Sequence, residues 1–88
     1  MLKRNIKVGN KSGLHARMIT SFVKKVSRYK SQIFISKGSA KINAKSIMGL
    51  CSIGISEGDM LEIEVSGVDE EVAMAEIIKY VKEIGKNR

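Results

Sequence analysis

The chain changes hydrophobic period several times along its length, and each change marks an element. From Leu2 to Val8 the residues alternate, with Leu2, Ile6 and Val8 on one side and Lys3, Asn5 and Lys7 on the other. That period of two predicts a half-buried strand, interrupted on its apolar side by Arg4. Gly9-Asn10-Lys11-Ser12-Gly13 then reads as a loop. Ile19, Phe22, Val23 and Val26 recur at helical spacing opposite Lys24, Lys25 and Arg28, which predicts a first helix from about Ala16 to Arg28. Ile33-Phe34-Ile35 has the β-branched and aromatic content of a strand. Lys37-Gly38-Ser39 is a turn and Ala40-Lys41-Ile42-Asn43 a short return strand, so the two form a hairpin.

Ser46 stands before Ile47-Met48-Gly49-Leu50-Cys51-Ser52, where its hydroxyl suits the N-cap of a short helix with Leu50 and Ile53 turned to the core. Gly54 and Gly58 break the pattern. Leu61, Ile63 and Val65 alternate with Glu62, Glu64 and Ser66 in the cleanest strand signal of the chain, and Gly67 ends it. Asp69 then reads as an N-cap with Glu70 and Glu71 in the first turn. Met74, Ile77, Ile78, Val81 and Ile84 form the apolar stripe of a last helix; Lys79, Lys82 and Lys86 complement its end, and Gly85 stops it. The order is βαββαβα, without repeats or low-complexity segments. It predicts an α+β fold: one domain over residues 1–88, with a mostly antiparallel sheet carrying helices on a single face.

Composition narrows the function classes. The 88 residues are 43% hydrophobic and 28% charged, with no apolar run approaching a membrane span, so membrane insertion is not expected. The first residues lead into alternation rather than an apolar signal core, and a cytoplasmic protein is expected. Cys51 is the only cysteine and His15 the only histidine, which rules out an internal disulfide and a cysteine-rich metal site, and no protein-held zinc or other metal is expected. Charge is uneven: residues 1–56 carry 12 Lys/Arg and no Asp/Glu, while residues 57–88 carry 4 Lys/Arg and 9 Asp/Glu. A basic front half attracts nucleic acid, a membrane surface or an acidic protein patch. With only Phe22, Tyr29, Phe34 and Tyr80 as aromatics and no basic–aromatic interleaving, nothing suggests stacked bases, and no direct nucleic-acid partner is expected.

The candidate chemistry sits in Ser12-Gly13-Leu14-His15-Ala16-Arg17-Met18. A helix start offers unpaired N–H groups and the positive end of a dipole, so an anion is favoured beside His15. Arg17 adds a planar fork of donors suited to phosphate oxygens. An imidazole nitrogen is nucleophilic at neutral pH and able to take and hold a phosphoryl group; the plainer reading is a polar cap or a solvated loop residue.

Two motifs carry a resemblance. His15-Ala16-Arg17 after Gly13-Leu14, together with Lys45-Ser46-Ile47-Met48-Gly49 at the matching separation, resembles the HPr family, the histidine-containing phosphocarriers of the bacterial sugar phosphotransferase system. The resemblance covers essentially the whole chain. It implies an open-faced β-sandwich of four strands with three helices on one side. It also implies a phosphocarrier rather than an autonomous enzyme, needing no cofactor, in which enzyme I phosphorylates His15 and the group passes to sugar-specific IIA components. Arg17 would hold the phosphoryl oxygens. Ala16, Arg17, Thr20, Ile47, Met48 and Cys51 would face partners, with core packing of Ile47 or Met48 as the rival expectation. Ser46 would be a regulatory phosphorylation site; in the low-GC Gram-positive branch of the family, it meets a kinase/phosphorylase and the product assists a catabolite-control repressor. The plainer reading of Ser46 is a cap alone. A monomer is expected. A regulatory binding module without phosphotransfer and a basic nucleic-acid-binding domain are the alternatives, and neither suits the two motifs as well.

Two positions depart from the family pattern. Met18 stands where most members have proline, a residue allowed but not required in a first helical turn. Cys51 replaces a residue that is commonly methionine or another contact residue, and reads as a packing or contact residue rather than a redox thiol.

Overall fold

The computed structural model describes residues 1–9, 16–56 and 58–83, with Ala16, Arg17 and Glu83 described by their backbone alone. The elements follow as β1 (Leu2–Lys7), α1 (Ala16–Ser27), β2 (Gln32–Lys37), β3 (Ala40–Asn43), α2 (Ile47–Ile53), β4 (Met60–Ser66) and α3 (Glu70–Glu83), the order the periodicity predicts. The strands make one sheet in the order β1-β4-β2-β3. Every pairing is antiparallel, so the sheet is wholly rather than mostly so. Ile84, Gly85 and Lys86, expected to finish α3, lie outside the described residues.

Register decides which face each strand buries, because a slip of one residue would turn every side chain over. Ile6 is opposite Leu61, Ile33 opposite Val65 and Ile35 opposite Ile63, which places one continuous apolar row under the helices. Phe22 and Val26 of α1, Leu50 of α2, and Met74, Ile77 and Val81 of α3 close over it, all buried. Fully burying a side chain such as Phe22 or Leu61 stabilises by roughly 1.5–3 kcal/mol. Leu2, Ile42, Ile53 and Ile78 pack half-buried around this core.

The turn between β2 and β3 is shorter than expected. Lys37 pairs with Ala40, leaving Gly38-Ser39 as the two-residue connection, and Gly38 takes the positive φ of 61° that such a turn demands. Helix α1 ends at Ser27 rather than Arg28, and Tyr29 N–H closes a tighter turn on the Val26 carbonyl at 3.2 Å.

Two acidic residues behave differently from their pattern. Glu64 shares the open face with Glu62, yet it is only 9% exposed. It lies opposite Phe34 on one side and Lys3 on the other. Lys41 reaches across from β3, its Nζ 5.1 Å from the Phe34 ring centre and 2.9 Å from a Glu64 oxygen. The lysine thus covers an aromatic ring and holds the Glu64 carboxyl below the usual range.

Asp69 occupies the N-cap position, its carbonyl accepting the Ala73 N–H at 2.9 Å. Its carboxylate, however, accepts the N–H groups of Lys30 and Ser31 at 2.8 and 2.9 Å and the Ser31 hydroxyl. Beside it Glu70 accepts the Gly67 N–H at 3.1 Å, bracing the turn before the helix, and meets the N-terminal ammonium. Gly67 is required by space: a Cβ there would come within 2.6 Å of Ser31.

Candidate functional site

Helix α1 begins at Ala16, so Arg17 and Met18 stand in its first turn as expected, and no acidic residue shares that turn. Backbone N–H groups at such a start are the natural donors for an anion, and the dipole has its positive end there. His15 falls outside the described residues, and so does the Arg17 side chain. Met18 packs half-buried against the core, and its carbonyl receives the Tyr80 hydroxyl of α3 at 3.5 Å. Tyr80 also tilts against Phe22, ring centres 5.4 Å apart, with the Lys25 ammonium 5.3 Å from its ring centre. Tyr80 lies outside the apolar stripe read from the sequence, and nothing there announced this brace. Thr20 is exposed on the same helix.

Helix α2 packs against α1. Ser46 caps it as predicted, with extended backbone at φ −106° and ψ 115°, and its hydroxyl accepts the Gly49 N–H at 3.0 Å. The Leu50 N–H closes the first helical bond on the Ser46 carbonyl at 3.1 Å. In seven residues only one side can enter the core. Leu50 takes it completely and Ile53 partly, which leaves Ile47 45% and Met48 83% exposed. The expectation that one of this pair packs inward is therefore not met. Cys51 is exposed as well, and its spacing from Ile47 and Met48 sets all three on one side of the helix.

Lys45 supplies a link the sequence did not disclose. Its ammonium donates to the Tyr29 carbonyl at 2.7 Å, joining the end of α1 to the start of α2. Asn43 steadies the same corner, its side-chain oxygen accepting the Lys45 N–H at 2.8 Å and its carbonyl the Ser46 N–H at 3.0 Å. Ser46 is thus held by its neighbours while its outer surface meets solvent. Among the described residues no group of acidic, cysteine or histidine side chains is placed to hold a metal ion, and no helix is long and apolar enough to cross a membrane.

Residues 2–83 match the family model described as the PTS HPr component phosphorylation site. The chain belongs to the HPr family. A phosphocarrier protein HPr of Neisseria meningitidis is 42% identical over 74 residues, 84% of this chain and 83% of that protein. An HPr-like protein Crh of Halalkalibacterium halodurans is 40% identical over 82 residues, covering 93% and 98% of the two chains. Among solved structures, HPr of Thermoanaerobacter tengcongensis superposes with a TM-score of 0.92 at 38% identity, over 100% of this chain and 99% of that one. This is the HPr fold: three helices on a four-stranded, open antiparallel sheet. An HPr dimer from the same organism is also similar, with a TM-score of 0.72 and 41% identity over 92% and 93% of the chains. A monomer, expected from the sequence, does not fit that observation as a rule for the family, because a close relative of the same fold self-associates.

Proposed function

We propose that this HPr-family chain is a phosphocarrier that receives a phosphoryl group on His15 from enzyme I and delivers it to the IIA components of sugar transporters. What supports the reading is the sequence motif His15-Ala16-Arg17, whose last two residues open α1, together with a helix packed against α1, α2, whose Ile47 and Met48 stay exposed. In the transfer, the bond from phosphorus to the donor group of enzyme I breaks as a P–N bond forms to an unprotonated His15 nitrogen, and the donor group leaves with the electron pair. Arg17 and first-turn N–H groups would hold the phosphoryl oxygens. Ala16, Thr20, Ile47, Met48 and Cys51 would meet the partner, the exposed apolar pair supplying contact area and the basic front half speeding encounter. Ser46, a cap hydroxyl at a dipole's positive end, accommodates a phosphate locally, and the added charge would fall on the docking surface. That makes it a regulatory position for a serine kinase/phosphorylase, with a catabolite-control repressor as reader.

Incubation with phosphoenolpyruvate and enzyme I tests the reading: one acid-labile phosphoryl group is expected on the parent and none on His15→Ala. Full labelling of that variant would overturn it. Similarity to HPr-like protein Crh favours a second reading, a regulatory module with little phosphotransfer. The presence of His15 supports the carrier, since a purely regulatory paralogue would be expected to lack that histidine.

A further inference from the structure

The chain holds five methionines, and the fold treats them differently. Met74 of α3 is buried in the core, and Met18 of α1 packs half-buried against it. Met1 and Met60 are 69% and 57% exposed, the first beside Glu70 of α3 and the second opposite Lys7 at the start of β4. Met48, the second residue of α2, exceeds both at 83%. Its neighbours on the helix explain why. Gly49 lies so near β3 that an added Cβ would come within 3.2 Å of the Ile42 side chain, and Leu50 fills the core. Met48 is left outside both contacts, next to exposed Ile47 and three residues before exposed Cys51.

A thioether is oxidised where a dissolved oxidant reaches it, and the sulfoxide is polar where the methionine was apolar. We propose that Met48 is an oxidation-sensitive contact residue: a peroxide converts it to the sulfoxide, which weakens docking on α2 while the fold stays intact, and reduction restores it. This rests on the phosphocarrier reading, in which α2 meets enzyme I. In the step, the sulfur lone pair attacks one peroxide oxygen and the O–O bond breaks. The leaving hydroxide takes the proton of the transferred oxygen and becomes water, so sulfur loses two electrons and the peroxide gains them. A dithiol reverses the change, returning two electrons as it closes to a disulfide and releases water. The fold tolerates the added oxygen because Met48 is no part of the core, whereas the same oxygen on Met74 would enter it. What changes is the surface, since a flexible and polarisable apolar contact becomes a polar one.

In the experiment the chain is treated with dilute hydrogen peroxide, freed of it, and each methionine is followed by peptide mass spectrometry. Met48 should reach the sulfoxide well before Met18 and Met74, with the denaturation midpoint of the untreated chain. Binding to enzyme I, read by calorimetry, and phosphorylation by phosphoenolpyruvate and enzyme I should both weaken several-fold. Methionine sulfoxide reductase with a dithiol should restore them. Three variants, each compared with its own untreated sample, assign the effect. Met48→Leu should lose no affinity on treatment, while Met60→Leu and Cys51→Ser should lose as much as the parent. Sensitivity that survives in Met48→Leu, or that vanishes in Cys51→Ser, would overturn the proposal. So would a Met48 as resistant to peroxide as Met74, a midpoint that falls as Met48 is oxidised, or unchanged affinity once it is fully oxidised. A parent that binds enzyme I and takes no phosphoryl group counts against the phosphocarrier reading alone, and the affinities still decide the role of Met48. A parent that does not bind enzyme I overturns both.

Discussion

At the start of α2 the Ser46 hydroxyl accepts an N–H from its own helix, whereas at the start of α3 the Asp69 carboxylate turns away to Lys30 and Ser31 at the end of the α1 connection. Both residues stand in the same position relative to their helices. The difference is what the side chain is committed to. Asp69 ties its helix start to a segment nearly forty residues earlier, and Glu70 braces the turn at Gly67. Ser46 does a local job, half-buried at the head of a turn in which Ile47 and Met48 stay exposed. A cap engaged by tertiary bonds is framework; a cap engaged only locally leaves room for chemistry.

Substitutions at the two caps sharpen that contrast, and the largest effect is expected at Asp69. Asp69→Ala leaves the Ser31 hydroxyl and two N–H groups without their acceptor, and its denaturation midpoint should fall further than that of any Ser46 variant. The Ser31 hydroxyl first, and then the Lys30 and Ser31 N–H groups, hold the Asp69 carboxyl below its ordinary range. A depressed carboxyl contributes stability that is present above the unfolded value, about 3.9, and is lost as pH falls through the folded value. Acid titration of the parent should therefore show a stability loss beginning near that value, which Asp69→Ala flattens. An equally steep acid loss in the variant would place the sensitivity in Asp59, Glu64 or Glu70, whose carboxyls are lowered too.

Ser46→Ala comes next. Loss of a helix cap costs about 0.5–2 kcal/mol, read as a shifted denaturant midpoint with an unchanged slope. Ser46→Asp should stay close to the parent in stability, since aspartate caps as well as serine and suits the dipole. Its phosphorylation by enzyme I should nonetheless be several-fold slower, because the charge lies on the docking side. Parent-like phosphorylation of a folded Ser46→Asp would remove α2 from the docking account. Met48→Ala should be the mildest, within about 0.5 kcal/mol in stability, with its effect confined to partner binding.

These contrasts also mark what the sequence discloses. Alternation placed β1 and β4, helical spacing placed α1 and α3, and a serine before a short apolar run placed the α2 cap, because each signal is local. The partners of Asp69 stand 38 and 39 residues earlier in the chain, and no local pattern points to them. Glu64 reads as a solvated strand residue until register sets it beside Phe34 and within reach of Lys41. Lys37 likewise reads as part of a turn, and its acceptors lie on α2 and before β4. At the candidate site, His15-Ala16-Arg17 and Lys45-Ser46-Ile47-Met48-Gly49 were legible as motifs. The bond from Lys45 to Tyr29 and the brace of Tyr80 on the first turn of α1 needed the fold.

The carrier claim is tested most directly by a chase. The chain is phosphorylated with phosphoenolpyruvate and enzyme I, freed of both, and mixed with an unphosphorylated IIA component while the label is followed by mass spectrometry. The account predicts that the label on His15 leaves this chain and appears on IIA, with enzyme I no longer required. Label that never reaches His15, or that stays on it while IIA remains unlabelled, would contradict a carrier and favour the regulatory module.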